Sequence, residues 1–195
     1  ERINVVEIKT WFAEAIYTDK IFNKAQNKEV ADKIKTLDSN YFKPTNEWNC
    51  SVINTFKTYQ PHEDVKFANL VHTIEEHTNN FARALGSEHN YKCTESWVNI
   101  AKKGHYQEYH IHPNASFSAV YYVDRPKNSG NIVFRKMPYE TYELKGKIAE
   151  NELTYQTAVY GPELGQLLIF RSYMPHMVTE NRSDKNRVSI AFNLD

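Results

Sequence analysis

The apolar positions change period partway along the chain. Ile21, Ala25, Val30, Ile34 and Leu37 recur near one face of a 3.6-residue repeat, and Asp38-Ser39-Asn40 ends the run, which predicts a helix over 21–37. A second predicted helix covers about 63–85, where Phe67, Leu70, Val71, Ile74, Phe81 and Leu85 form an apolar stripe. Pro61 sits just upstream of it, and Gly86 follows as a stop. His72 and His77 lie in this helix; His77 shares the stripe and reads as a packed, hydrogen-bonded histidine rather than a ligand. The apolar stretches 3–8 and 48–59 read as strands.

After Gly86, alternation replaces the helical period. Short runs at 96–100, 106–112, 118–123, 130–134, 154–160, 165–170, 177–179 and 187–194 are separated by Pro, Gly, Asn and Asp turns. That spacing predicts an all-β sandwich or barrel for this half. The expected layout is one domain over 1–195, with a helical and strand support region (1–95) leading into a β-core (96–195). The class is α+β, mainly β.

Composition narrows the field by exclusion. At 195 residues and 41% apolar, the chain can bury a continuous core. Lys plus Arg and Asp plus Glu are equal at 24 each, whereas a protein held to nucleic acid by phosphate contacts is usually basic, so that partner is not expected. Cys50 and Cys93 lack metal-ligand spacing and are too few for a disulfide scaffold. No apolar run approaches the roughly 18 residues of a membrane span, and Glu1-Arg2-Ile3-Asn4 does not open like a signal peptide. A soluble protein of the cytoplasm is the expectation. Abundant Asn and Lys hint at an AT-rich genome, bacterial or phage, in which case the cytoplasm is the host's. Oligomeric state is not readable from the chain.

The candidate chemistry sits in Tyr109-His110-Ile111-His112-Pro113. On a strand, residues i and i+2 share a face, so both imidazoles can converge on one point. Neutral imidazole suits iron, zinc, copper and nickel alike. His176 follows the apolar run 167–170, just past a strand end. Arg187 opens the final strand and offers a planar fork for a carboxylate, with Ser189 two residues on and able to share its face.

The segment 97–193 resembles the iron(II)/2-oxoglutarate-dependent dioxygenases of the prolyl-hydroxylase-like kind, and among them a branch of small bacterial and phage proteins. The matching residues are Trp97-Val98-Asn99, His110 to Ser116, Ser118-Ala119-Val120-Tyr121-Tyr122-Val123, Gly165 and Phe170 with Pro175-His176, and Arg187 to Asn193. The resemblance implies a double-stranded β-helix, or jelly-roll, core with the N-terminal helices packed on it. It implies Fe(II) as cofactor, 2-oxoglutarate and O2 as cosubstrates, and hydroxylation of a protein side chain or small molecule with release of succinate and CO2. Carried over by position, it makes His110 and His176 metal ligands and gives Arg187 the C5 carboxylate of 2-oxoglutarate. Tyr122 joins that carboxylate, Tyr121 points the other way, and Asn99 contacts substrate or cosubstrate.

One position departs from the pattern. The usual triad has a carboxylate two residues after the first histidine, and here that slot holds His112. His112 is the favoured third ligand; Glu108 shares the face of His110 if the alternation is unbroken, and is the alternative. His105 lies outside the motif and reads as a loop residue. Two rival functions stay open: a three-histidine metal dioxygenase or hydrolase without 2-oxoglutarate, and a non-catalytic binding module. The loop 138–151 and the N-terminal half are expected to shape the mouth. The substrate is not legible.

Overall fold

Asn23 opens the first helix, α1 (Lys24–Lys35). Its side chain accepts from the backbone N–H groups of Ala25 and Gln26, while the Gln26 side chain accepts from the Asn23 N–H, a reciprocal capping box. The helix therefore starts later than the apolar pattern predicts, and Ala25 is exposed. Its buried side is Asn27, Val30 and Ile34. Asn27 is polar but fully used: its Nδ2 donates to the Val123 carbonyl at 2.7 Å, and its Oδ1 accepts from the Tyr121 hydroxyl at 2.6 Å. Tyr121 thus faces the helix.

The second helix is shorter than its predicted span. Two 3₁₀ turns, Pro61–Glu63 and Val65–Phe67, precede α2 (Ala68–Ala84) and account for the early start of the pattern. Leu70, Ile74 and Phe81 are buried, while Leu85 is exposed beyond the helix end. Gly86 takes φ +90°, the left-handed conformation that closes a helix, and the Ser87 N–H bonds the Ala82 carbonyl at 2.9 Å. His77 is packed and bonded as expected, its Nδ1 lying 2.7 Å from the Tyr17 hydroxyl.

The computed structural model describes residues 9–10, 13–45, 49–50, 52–137, 149, 151 and 153–195. The strand expected at 3–8 and nearly all of the loop 138–151 lie outside them. No described helix is long and apolar enough to cross a membrane. The strands are β1 (Ile16–Lys20), β2 (Lys43–Pro44), β3 (Ile53–Asn54), β4 (Cys93–Ala101), β5 (Gln107–His110), β6 (Phe117–Asp124), β7 (Ile132–Arg135), β8 (Thr157–Tyr160), β9 (Gln166–Arg171), β10 (His176–Val178) and β11 (Arg187–Leu194). The strand expected over 48–59 shrinks to β3, because the chain turns at Thr55, whose carbonyl accepts from Thr58 and Tyr59.

Two antiparallel sheets result, one in the order β1-β9-β6-β11-β4-β3-β2 and one in the order β5-β10-β7-β8. Strict alternation gives the larger sheet two different faces. Val98, Tyr121, Leu167, Ile169, Ile190 and Phe192 pack with Val30, Ile34, Leu70, Ile74 and Phe81 of the helices. On the opposite face, Tyr122, Leu168 and Phe170 pack with Ile132 and Phe134 of the smaller sheet. The helices therefore cover one side, and the site lies between the sheets on the other.

Candidate metal centre and cosubstrate cavity

Register organises the inner face of the large sheet into three rows. β11 lies between β4 and β6, and Ser189 pairs with Asn99 on one side and Tyr122 on the other. Two residues along, Ala191 lies between Trp97 and Val120; two further, Asn193 lies between Glu95 and Ser118. The first row is polar, the second is apolar with a small residue at its centre, and the third is polar again. A cavity over this face is lined by Asn99, Tyr122, Ser189 and Arg187 at one end and by His110, His112 and His176 at the other.

The three histidines come from the smaller sheet and its exit. His110 ends β5 and pairs directly with His176 at the start of β10. His112 lies just past β5, held by its N–H to the Ser172 carbonyl at 2.9 Å. Their rings approach to centroid separations of 4.2 Å (His110–His176), 5.2 Å (His112–His176) and 5.3 Å (His110–His112). One nitrogen from each lies within 4.8 Å of the others, making a cluster able to hold a metal ion. Each Nδ1 has an acceptor: the Glu108 carbonyl for His110 at 2.7 Å, the Asn193 Oδ1 for His112 at 2.6 Å, and the Met174 carbonyl for His176 at 3.0 Å. Backbone and amide oxygens only accept, so each Nδ1 carries the proton and the lone pair sits on Nε2.

Burial keeps these rings neutral. It lowers His110 to about 4, lowers His112, and takes His176, packed against Phe134 and Phe170, well below the ordinary histidine value. At His112 the hydrogen bond to Asn193 and the charge of Glu95 pull the other way. Three neutral imidazoles at physiological pH are the protonation state a divalent transition ion requires.

Glu108 is not in this cluster. β5 opposes β10 with a bulge, Gln107 facing Val178 and His110 facing His176, so one extra residue stands between the two inward positions. Gln107 and His110 line the cavity, while Glu108 accepts from Asn49 Nδ2 at 2.6 Å. The broken alternation removes the face-sharing on which the Glu108 alternative depended. His105 lies in a turn outside the cavity lining.

At the opposite end, Arg187 is 4% exposed, and its Nη1 donates to the Ser129 carbonyl. No carboxylate pairs with it among the described residues. Burial lowers its pKa and nearby Arg125 adds to that, while Tyr122, itself raised to about 12, opposes it. A buried cation with no counter-ion is costly unless an anion arrives. Asn99 Oδ1 and Ser129 Oγ are buried polar atoms lacking hydrogen-bond partners among the described residues.

Gly130 lets the Ser129 carbonyl reach the guanidinium. It adopts φ +90°, and a Cβ there would crowd the Thr179 carbonyl and sit 2.8 Å from Arg187 Nη1. Gly130→Ala is expected to cost about 1–3 kcal/mol of stability from strain and crowding. A denaturant midpoint equal to wild type would show that the turn has room to spare.

The site residues foreseen from sequence, His110, His112, His176, Arg187, Tyr122, Ser189 and Asn99, all line this cavity. Trp97, Ser118 and Asn193 carry the sequence resemblance without an assigned site role, and Gln107, Glu95 and Ser129 have none either.

Residues 95–193 match a model of the family described as "Putative 2OG-Fe(II) oxygenase". No curated protein sequence matches the chain. Among solved structures, a Pseudomonas putida prolyl-4-hydroxylase superposes with TM-score 0.65 at 14% identity, covering 93% of this chain and 92% of that one. HygX from Streptomyces hygroscopicus, solved with nickel and 2-oxoglutarate bound, gives TM-score 0.66 at 11% identity over 93% and 83%. The α-ketoglutarate-dependent epimerase SnoN from nogalamycin biosynthesis gives 0.71 at 11% over 93% and 78%. At these identities the likeness concerns the fold, a double-stranded β-helix carrying N-terminal helices.

Proposed function

The chain belongs to the 2OG-Fe(II) oxygenase family, and from that premise we propose that His110, His112 and His176 hold one iron(II) while Arg187 anchors the C5 carboxylate of 2-oxoglutarate. The observation that carries this reading is the shared cavity: one nitrogen from each of three histidines within 4.8 Å of the others at one end, and at the other a buried guanidinium that no carboxylate of the described residues pairs. A dicarboxylate chelator fits both needs, since one end can reach the metal and the other neutralises Arg187.

When bound, iron(II) and 2-oxoglutarate supply the O2 chemistry that oxidises a C–H bond, with succinate and CO2 released. The chain's own part is to bind and orient. Arg187 offers a two-pronged donor held by the Ser129 carbonyl. The Tyr122 hydroxyl, kept protonated by burial, donates to the same carboxylate, and Ser189, its partner in the same row, adds a hydroxyl. Asn99 brings a side-chain amide with an unmet polar atom to this end. Phe170, Ile132 and Val178 line the wall and keep water from the bound ligands.

The substrate class we propose is a protein side chain or a small molecule, met in the cytoplasm. The balanced charge of the chain supports this over nucleic acid. A three-histidine site working without 2-oxoglutarate leaves Arg187 with no counter-ion among the described residues, which weighs against that rival.

Calorimetry on the nickel-loaded protein tests the reading. 2-Oxoglutarate is expected to bind, whereas a chain that takes up neither metal nor 2-oxoglutarate would be a binding module instead. With iron(II) and O2, succinate is expected to form in step with 2-oxoglutarate loss.

A further inference from the structure

We propose that Glu95 and Asn193 act as a positioning relay that fixes His112 as an Nε2 ligand and brings a negative charge within two hydrogen bonds of the metal. The proposal rests on the reading of His112 as a ligand. It begins from the third row of the large sheet, where Glu95, Asn193 and Ser118 are cross-strand neighbours on the cavity face.

The direction of the hydrogen bonds running from Glu95 through Asn193 to His112 is forced. A carboxylate only accepts, so the Asn193 atom facing Glu95 Oε2 at 2.8 Å is its Nδ2 donor. The amide oxygen then faces His112 Nδ1 at 2.6 Å. That oxygen also only accepts, so the proton of His112 sits on Nδ1. Ser118 braces the arrangement by donating to the same Asn193 oxygen at 3.1 Å, with Ser172 Oγ 2.8 Å behind it. Asn193, Ser118 and Ser172 are all buried. Glu95, by accepting only, sets the amide; the amide sets the imidazole tautomer.

His112 differs here from its two partners. The Nδ1 groups of His110 and His176 bond backbone carbonyls, whose direction no side-chain change reverses. Among the described contacts, His112 is the ligand whose Nδ1 meets side chains, Asn193 Oδ1 at 2.6 Å and Ser118 Oγ at 3.0 Å, and Asn193 is backed by an acid. No Lys or Arg neutralises Glu95 among the described residues, so its charge is felt at His112. The usual triad places its carboxylate on the metal. In this chain the third position is a neutral imidazole, and the carboxylate stands behind it. An outer partner of this kind raises the basicity of the ligand and stabilises the positive charge of the ion.

Cobalt(II) titration of the metal-free protein, followed by visible absorption and chelator competition, tests the relay without relying on turnover. Asn193→Ala is expected to weaken Co(II) binding about 10- to 100-fold. Glu95→Gln keeps an acceptor for Asn193 Nδ2 but removes the charge, and is expected to cause a smaller loss while leaving the melting temperature of the metal-free protein unchanged. His112→Ala is the reference and is expected to lose more than either. Wild-type Co(II) affinity in both Asn193→Ala and Glu95→Gln, with His112→Ala impaired, would overturn the relay and leave the metal site standing. Wild-type affinity in His112→Ala would overturn the site and the relay together. Should Asn193→Ala fail to fold, Glu95→Gln decides alone: a weakened affinity at unchanged melting temperature supports the relay, and an unchanged affinity refutes it.

Discussion

His176→Ala is expected to abolish iron retention and turnover together. His176 is 4% exposed, and its ring is the one nearest His110. It pairs across the sheet with His110 on one side and Phe134 on the other, so both neighbouring strands fix its position. Its Nδ1–H is committed to the Met174 carbonyl, and Phe134 and Phe170 pack on its ring. Little freedom remains, and the lone pair on Nε2 is preset for a ligand role. Removing it leaves two imidazoles and an apolar gap where the third donor stood. The expected loss exceeds the roughly 10- to 100-fold that removing an outer partner causes. Iron content after anaerobic loading and desalting measures it, with the melting temperature of the metal-free variant as the check on folding. His176→Gln, which refills part of the gap, separates ligand loss from packing loss: it is expected to restore stability more than metal. Full iron occupancy in His176→Ala would remove this residue from the triad.

Burial depresses all three histidines, so the folded protein disfavours their protonated forms. A group whose folded pKa lies below its unfolded value contributes stability above the unfolded value, near 6.5, and loses it as pH falls through the folded value. For His110 that window runs from about 6.5 down to about 4. The triad therefore does not trade protons for metal at neutral pH, which suits tight binding there.

How much of this was legible in the sequence depended on whether period or register carried the information. β4, β6, β9 and β11 each bury both faces or alternate cleanly, so their runs stood out. β1 did not, because only Ile16 and Tyr17 are partly buried and the strand is defined by pairing with distant β9. Within the site, Arg187 and Ser189 share a face by simple alternation, and the same step reaches Asn193. Glu95 stands in the same relation to Asn99, and Ser118 to Tyr122. The signal for the relay was present in the parity of three strands, but only the pairing register shows that the three positions meet. The bulge in β5 had no such signal. It reverses the parity of Gln107 and Glu108 relative to His110, and an alternating pattern read along one strand cannot reveal it. Ser129 contributes through its backbone carbonyl, which no side-chain pattern encodes.

Arg187→Met is expected to remove 2-oxoglutarate binding while leaving the metal in place. The guanidinium is at the far end of the cavity from the histidines and touches none of them, so metal affinity should match wild type. Cosubstrate affinity should not. Truncating one partner of a buried, hydrogen-bonded charge pair costs about 2–5 kcal/mol, on the order of 30-fold or more in Kd. Arg187→Lys keeps the charge but loses the planar fork, so it is expected to recover only part of that affinity. The unliganded protein should behave differently from most core variants. With no carboxylate of the described residues beside it, Arg187 is a desolvated cation held by the Ser129 carbonyl, and replacing it with an apolar side chain of similar reach removes that cost. The unliganded variant is therefore expected to be about as stable as wild type, or more so. Adding 2-oxoglutarate at about 100 times its Kd should stabilise the metal-loaded wild type by about 2.7 kcal/mol and the variant by almost nothing. Thermal denaturation of both proteins, with and without 2-oxoglutarate, reads all three expectations at once. A variant that keeps the wild-type ligand shift would take the anchor role from Arg187, and with it the strongest support for 2-oxoglutarate in this cavity.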